Sequence, residues 1–121
     1  MIKDWMESVI KKEKKKIGIT NMIFCSDDYL LQVNKEFLKR DYLTDVISFD
    51  YTKEDKISGD VLISVDRVSE NAKENGVSFL EELKRVMVHG LLHLIGYDDN
   101  TKEKKGIMTA REDLYLKGSP E

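Results

Sequence analysis

The stretch that decides the fold runs from Val86 to Asp99, VMVHGLLHLIGYDD, and contains both histidines of the chain, His89 and His93. Positions four residues apart lie on the same face of a helix, so the two imidazole rings can reach one metal ion. Gly96 follows, and glycine readily adopts the left-handed backbone conformation that ends a helix. The chain can then turn back and bring the acidic pair at the end of the stretch to the two rings. The pattern predicts a metal-bearing helix, a third oxygen ligand and an open position for water, as in catalytic zinc sites.

Spacing alone leaves an alternative open, because a helical pair of histidines is often only a half-buried pair that neighbouring groups satisfy. The context favours a metal, since His89 and His93 lie in a strongly apolar helix where an unpaired polar ring is costly. Either Asp98 or Asp99 can supply the third ligand. Cys25 is the only cysteine, which excludes an internal disulfide and a cysteine-rich structural zinc site. The donor set therefore favours an open, catalytic metal site.

Length and composition indicate one domain over residues 1–121, with 40% hydrophobic and 36% charged residues, as in an ordinary globular protein. No apolar run reaches the length of a membrane span, and the first residues lack a signal-peptide pattern, so we expect a cytoplasmic protein without a membrane partner. The net charge of −3 means that a nucleic-acid partner requires a local positive patch. The lysine run at 11–16 is more simply the solvated end of a helix.

The pattern of apolar residues predicts the α+β class, as a small mixed sheet of about three or four strands covered by helices. Strands are predicted at 19–24, 46–51 and 59–65, and the last is the most apolar and therefore central. Helices are predicted at 3–16, 29–37 and 66–75, and Gly18 is expected to end the first of them. Two more are predicted, one that begins at the capping box of Ser78 and one from Thr101 to Leu116. The last helix is expected to turn Ile107, Met108, Leu114 and Leu116 inward.

The residue after the first histidine bears on the chemistry. Peptidases with the H-E-x-x-H motif carry a glutamate there as general base, whereas this chain has Gly90. A metalloprotease is therefore the most distant interpretation. Water activated by a metal remains able to attack phosphorus, and phosphoryl chemistry also needs cations for the phosphate oxygens. Lys39 and Arg40 are the candidate substrate-binding cations.

Residues 89–98, HGLLHLIGYD, resemble the signature of the YbeY-type family of bacterial metal-dependent endoribonucleases, which are associated with ribosomal RNA maturation and ribosome quality control. The family pattern is H-G-x-L-H-L-x-G-Y-D followed by a third histidine. A second block also matches in the same order, and the resemblance extends from about Asn21 to Leu116. This second block consists of Asn34, Asp41, TDVISF at 44–49, and the pair Gly59-Asp60.

Two departures from the family pattern concern the site. Asp99 replaces the third histidine, so the resemblance implies a zinc site of His89, His93 and Asp99, in which a harder oxygen donor admits another divalent metal. Asp98 matches the family's own aspartate and is the candidate for orienting a ligand. Family members commonly carry an arginine, implicated in activity, where this chain has Leu38. The candidate for that positive charge is Arg40.

The resulting hypothesis is a metal-dependent, single-strand-specific endoribonuclease in ribosomal RNA maturation and ribosome quality control. Its catalytic residues would be Arg40 and Asp98, and Lys39 with Arg40 would bind the substrate. The expected partners are precursor ribosomal RNA and the small ribosomal subunit or its proteins. The alternative is a non-catalytic ribosome-assembly or RNA-binding factor with a structural metal, and Leu38 favours that alternative.

Overall fold

The computed structural model describes residues 2–120, which form an α+β domain with three strands and five helices. The sheet order is first, third and second strand, with the first parallel and the second antiparallel to the third. This arrangement confirms the mixed sheet covered by helices. In chain order the elements are α1 (Ile2–Lys12), β1 (Lys16–Cys25), α2 (Asp27–Leu38), β2 (Val46–Asp50), β3 (Lys56–Ser64), α3 (Val65–Asn75), α4 (Phe79–Ile95) and α5 (Lys102–Leu116).

Strand β3 is central and buried on both faces, as its continuous apolar run predicted. Val61 and Ile63 are fully buried in the main core, to which helices α1, α3, α4 and α5 contribute. Leu62 points to the opposite face because side chains alternate along a strand. There it joins a smaller apolar cluster with Leu30, Val33 and Ile47. Helix α2 therefore covers one face of the sheet and α4 covers the other.

Helix α1 ends at Lys12, four residues before the predicted end. Lys14 adopts a left-handed conformation with φ of 61°, and the backbone N–H of Lys15 donates to the carbonyl of Ile10 over 3.1 Å. This bond pattern ends a helix at a left-handed residue, here without a glycine. The prediction that Gly18 breaks the helix was wrong, because Gly18 already lies within β1. The lysine run is thus divided among a helix end, a turn and a strand.

Helix α4 is the most buried helix of the described chain and begins where the sequence predicted. The Ser78 side chain accepts a hydrogen bond from the backbone N–H of Glu81 over 3.1 Å. Val88, Leu91 and Leu92 are fully buried, and each such side chain contributes about 1.5–3 kcal/mol by leaving water. The helix ends at Gly96, where φ is 121°. Burial of these side chains therefore fixes the position of α4, and Gly96 fixes its end.

Helix α5 turns a different face inward than expected. Met108, Glu112 and Tyr115 are buried, whereas Ile107 is 48% exposed and Leu114 is 51% exposed. The prediction was confirmed for Met108 and was wrong for Ile107 and Leu114, whereas Leu116 is partly buried against the core. Spacings of four and three residues place the three buried side chains on one stripe of the helix. The apolar pattern did not predict this face because one of its buried residues, Glu112, is charged.

No helix between Ile2 and Pro120 is long and apolar enough to cross a membrane.

Candidate metal centre

The two histidines lie where α4 meets the sheet. Gly90 is buried against β2 and β3, and its carbonyl oxygen accepts a hydrogen bond from the Ser48 hydroxyl over 3.1 Å. His89 and His93 flank this contact, and their side chains are 23% and 26% exposed. The prediction that both rings lie at the edge of the apolar stripe, partly desolvated but reachable, is confirmed.

Three potential ligand atoms, two from α4 and one from the turn after it, form a triangle. The Nε2 atoms of His89 and His93 lie 3.1 Å apart. Asp99 Oδ2 lies 3.3 Å from the first nitrogen and 3.6 Å from the second. Ligands about 2.0–2.2 Å from a tetrahedral zinc ion are separated by about 3.3–3.6 Å. The donor types and their spacing therefore fit a zinc-sized divalent ion, with His89, His93 and Asp99 as the group that could hold it.

The other ring nitrogen of His89 is held by an acid on α5. His89 Nδ1 lies 2.6 Å from Glu112 Oε2, and Arg85 Nη1 donates to Glu112 Oε1 over 3.0 Å. The guanidinium also donates to Asp113 Oδ1 over 2.8 Å. Because an ionised carboxylate only accepts hydrogen bonds, His89 Nδ1 carries the hydrogen of this contact. Its Nε2 is then free to donate a lone pair to a metal.

The electrostatics of the centre favour a cation. Burial of the His89 ring lowers its pKa, but the hydrogen bond and charge of Glu112, with the charges of Asp99 and Asp45, outweigh burial and raise the pKa. Asp45 is itself partly buried, which raises the pKa of its carboxyl although the nearby His89 opposes this shift. Three carboxyl groups thus surround one ring. A divalent metal at the triangle would offset their charge.

A cleft of about 410 Å³ opens beside the triangle, a volume typical of ligand sites. His89, His93 and Asp99 line one side of it. The residues around the rest of the cleft come from the end of α2, the following loop and β2, and they include Leu38, Arg40, Tyr42, Thr44, Asp45 and Asp50. The candidate metal ligands therefore share one cleft with a cationic side chain, Arg40, and an aromatic one, Tyr42.

The loop that carries Arg40 and Tyr42 is anchored by a buried amide. The Asn34 side chain, only 1% exposed, donates from Nδ2 to the Tyr42 carbonyl over 2.9 Å. The backbone carbonyl of Asn34 accepts from the backbone N–H of Arg40 over 3.1 Å. Lys39 ends α2 in a left-handed conformation with φ of 57°. These contacts hold the backbone of the loop against the helix end at Arg40 and Tyr42.

The structure brings some of the predicted site residues together and separates others. Arg40 lines the cleft with His89, His93 and Asp99. Lys39 is exposed outside the cleft lining, and its Nζ donates to the Glu36 carbonyl over 3.1 Å. Asp98 is exposed and belongs neither to the ligand triangle nor to the cleft lining in the described chain.

Two residues of the centre, Glu112 and Asp45, were not among the predicted site residues. Glu112 contacts His89 across 23 positions of sequence, and Asp45 lines the cleft while its Oδ2 accepts a hydrogen bond from Asn71 Nδ2 over 3.1 Å. A signal for Glu112 exists, because it lies at a helical spacing between Met108 and Tyr115. An acid in an apolar stripe requires a polar partner. The sequence does not say which partner.

Comparison with known proteins identifies the family of this site. Residues 1–119 match the family described as endoribonuclease YbeY. The chain belongs to this family. The endoribonuclease YbeY of Flavobacterium johnsoniae is 52% identical over 110 residues, which cover 91% of this chain and 79% of the relative. The endoribonuclease YbeY of Cytophaga hutchinsonii is 50% identical over 116 residues, which cover 95% and 81%.

A solved structure has a similar fold. The solution structure of TM1509 from Thermotoga maritima matches with a TM-score of 0.70 and 32% identity, over 96% of this chain and 77% of that protein. The resemblance that the two sequence blocks indicated is confirmed, as is the prediction of an endoribonuclease family. Within the YbeY fold, the individual roles of Arg40, Lys39, Asp98 and the three potential ligands stay predictions.

Proposed function

We propose that this chain is a zinc-dependent, single-strand-specific endoribonuclease that matures ribosomal RNA in the cytoplasm, at the small ribosomal subunit or its proteins. The observation that carries the proposal is the triangle of His89 Nε2, His93 Nε2 and Asp99 Oδ2 at one end of the cleft. Membership of the endoribonuclease YbeY family supports RNA as the substrate. It gives no support to the metalloprotease interpretation.

His89, His93 and Asp99 would hold the ion. When bound, a zinc ion supplies positive charge that lowers the pKa of a water and offsets charge on a phosphate oxygen. The carboxylate ligand is harder than the histidine found elsewhere in the family, so manganese or magnesium is a reasonable alternative. Asp98, one residue before the carboxylate ligand, is proposed to orient the turn that carries Asp99.

Arg40 is proposed to bind the scissile phosphate. It lies on the anchored loop and lines the same cleft as the ligand triangle. A guanidinium presents several donors to phosphate oxygens and remains charged at any physiological pH. Lys39 would join it only after its Nζ leaves the Glu36 carbonyl, so its contribution is proposed to be the smaller.

Tyr42 supports the preference for unpaired RNA. It lines the cleft two residues after Arg40 and is 53% exposed. Proteins that bind single strands combine a cation for the backbone with an aromatic ring on which a base stacks. A base within a duplex has both faces covered by its neighbours and cannot use such a ring.

One observation favours a non-catalytic assembly factor. Leu38 lines the cleft and is 38% exposed, at the position where other family members are expected to carry an arginine. A leucine side chain cannot stabilise charge on a phosphate. A factor that binds RNA and uses the metal to pin the turn after α4 would tolerate this residue.

The experiment measures metal and cleavage on the full chain purified without chelator. We expect near-stoichiometric zinc by elemental analysis, and metal-dependent cleavage of a labelled single-stranded RNA in preference to the same sequence in a duplex. His93→Ala should lose both the metal and the cleavage. Bound metal with no cleavage would favour the assembly factor. Absence of metal after reconstitution with zinc, manganese or magnesium would overturn the proposal.

A further inference from the structure

Glu112 is the buried acid that the ligand triangle leaves unused. It is 6% exposed and lies on α5, whereas the three potential ligands lie on α4 and the turn after it. Its two carboxylate oxygens have different partners. Oε2 meets His89 Nδ1 at 2.6 Å, and Oε1 accepts from Arg85 Nη1 at 3.0 Å. The acid therefore connects the histidine to a cation one helical turn earlier on α4.

The position of Arg85 follows from the helix period. Arg85, His89 and His93 are spaced by four residues and share one face of α4. The guanidinium reaches Glu112 and Asp113 together, at 3.0 and 2.8 Å. Burying a lone carboxylate is costly, and a paired guanidinium removes much of that cost. Arg85 thus pairs with the Glu112 carboxylate and holds it in place beside the His89 ring.

A charged acceptor at Nδ1 decides what Nε2 can do. A neutral imidazole has one N–H, and the strong acceptor at Nδ1 keeps it on that nitrogen. The Nε2 lone pair then points to His93 and Asp99, at 3.1 and 3.3 Å. Without Glu112 the ring could rotate, or place its hydrogen on Nε2, where it would block a metal.

We propose that Glu112 is the positioning residue of the metal centre: it fixes the tautomer and the ring orientation of His89, and Arg85 in turn fixes Glu112. The inference rests on the proposed metal function, and it adds that α5 contributes to metal affinity without supplying a ligand. His93 differs in this respect, because the polar contacts of its ring within residues 2–120 are with His89 and Asp99.

The test compares zinc affinity in three variants of the full chain. Glu112→Ala removes the acceptor, Glu112→Gln keeps a neutral acceptor of the same shape, and Asp113→Asn removes only the charge of the outer partner of Arg85, on a side chain that is 57% exposed. Loss of such a supporting group typically weakens metal binding about ten- to a hundredfold. We expect that loss for Glu112→Ala, a smaller loss for Glu112→Gln, and wild-type affinity for Asp113→Asn.

A second measurement separates positioning from a structural role. Nitrogen-15 NMR of the metal-free protein, at a pH at which the ring is neutral, reports which nitrogen of His89 carries the hydrogen. The wild type should carry it on Nδ1, and Glu112→Ala should shift it to Nε2. A purely structural role of Glu112 would change the free energy of unfolding and leave the tautomer as it is.

The outcomes distinguish this inference from the proposed function. Wild-type protein that binds no zinc would overturn the metal function itself. Wild-type zinc affinity and an unchanged tautomer in Glu112→Ala would overturn only the positioning role. If Glu112→Ala fails to fold, equal zinc affinity of Glu112→Gln and Asp113→Asn would overturn it instead.

Discussion

Ser48 on β2 donates a hydrogen bond to the carbonyl oxygen of Gly90 on α4, over 3.1 Å. A helix carbonyl can accept this bond from a strand because residue 90 has no side chain between the two elements. A β-carbon built on Gly90 would lie 2.4 Å from Val61 Cγ1 and 3.2 Å from Val46 Cγ2. The same close approach places the flanking His89 and His93 at the cleft.

Gly90→Ala should therefore destabilise the protein. Alanine is favoured over glycine inside a helix by about 1 kcal/mol, but forcing a methyl group into a packed core costs typically about 1–3 kcal/mol. The contact with buried Val61 is too short to relax without moving α4 away from the sheet. We expect a net loss of up to about 2 kcal/mol in the free energy of unfolding, measured by urea denaturation.

Gly106→Ala is the matched control. Gly106 lies inside α5, and a β-carbon there would meet nothing within 4 Å among the described residues. The helix preference acts alone, so this variant should gain stability of up to about 1 kcal/mol. Equal effects of the two substitutions would contradict the close packing of α4 on the sheet.

The sequence was sufficient for features that depend on neighbouring residues. The histidine spacing, the cap at Ser78 and the end at Gly96 lie within one helix and its two ends, so periodicity and turn chemistry predict them. The central position of β3 follows from its apolar run for the same reason. The predicted end of α1 was wrong because Lys14 adopts a left-handed conformation that is uncommon for residues other than glycine.

Features that depend on contacts distant in sequence could not be predicted in this way. The choice between Asp98 and Asp99 depends on how the chain turns after Gly96, and only Asp99 joins the triangle. The contact of Glu112 with His89 spans two helices. The apolar pattern of α5 assigned Ile107 and Leu114 to the core, whereas the buried face of the helix carries Met108, Glu112 and Tyr115.

The exchange of Asp99 tests this choice of ligand. Asp99→Ala removes an oxygen that lies 3.3 and 3.6 Å from the two imidazole nitrogens, so we expect the bound metal to be lost in elemental analysis. Asp98→Ala is the matched control, since it removes the adjacent, exposed carboxylate. It should retain more metal than Asp99→Ala, because Asp98 is proposed to orient the turn and not to hold the ion. Metal retained in Asp99→Ala but lost in Asp98→Ala would transfer the ligand role to Asp98.

The lowered pKa of the Asp27 carboxyl predicts that the free energy of unfolding falls in acid. Burial raises the pKa of its carboxyl, but hydrogen bonds from Ser64 and Arg67 and the charge of Arg67 outweigh burial and lower the pKa. A lowered pKa stabilises the fold above the unfolded value of about 3.9, and the contribution disappears as the pH falls through the lower folded value.

Asp27→Asn should therefore be less stable than the wild type at neutral pH, and the difference should shrink below about pH 4. Urea unfolding at a series of pH values measures it. Asp28→Asn removes an exposed charge from the same first turn of α2 and keeps the contacts of Asp27. A difference between Asp27→Asn and the wild type that stays constant with pH would contradict the role of the carboxylate.

Tyr42→Ala should weaken the binding of single-stranded RNA. Stacking of one base on an aromatic ring contributes about 1–3 kcal/mol, which is about five- to 150-fold in affinity. Tyr51→Ala is the matched control, because Tyr51 is 59% exposed but lies outside the residues that line the cleft. Fluorescence anisotropy with a labelled oligonucleotide measures both. Equal losses, or no loss in Tyr42→Ala, would remove the proposed stacking site.

Leu38→Arg should raise cleavage if this chain is an enzyme that lacks one phosphate contact. Leu38 lines the cleft with Arg40, so a guanidinium introduced there can reach a bound phosphate. Hydrogen bonds to charged groups contribute about 1.5–3 kcal/mol, and a contact made in the transition state would raise the rate about ten- to a hundredfold.

The control for this gain is Leu43→Arg, which adds the same charge at a residue that is 46% exposed and absent from the cleft lining. Single-turnover cleavage of saturating single-stranded RNA separates a faster reaction from tighter binding. A rate gain confined to Leu38→Arg supports the enzyme. A gain in RNA affinity that both variants share, with no cleavage in either, would instead support the assembly factor, because added charge improves RNA binding at any surface position.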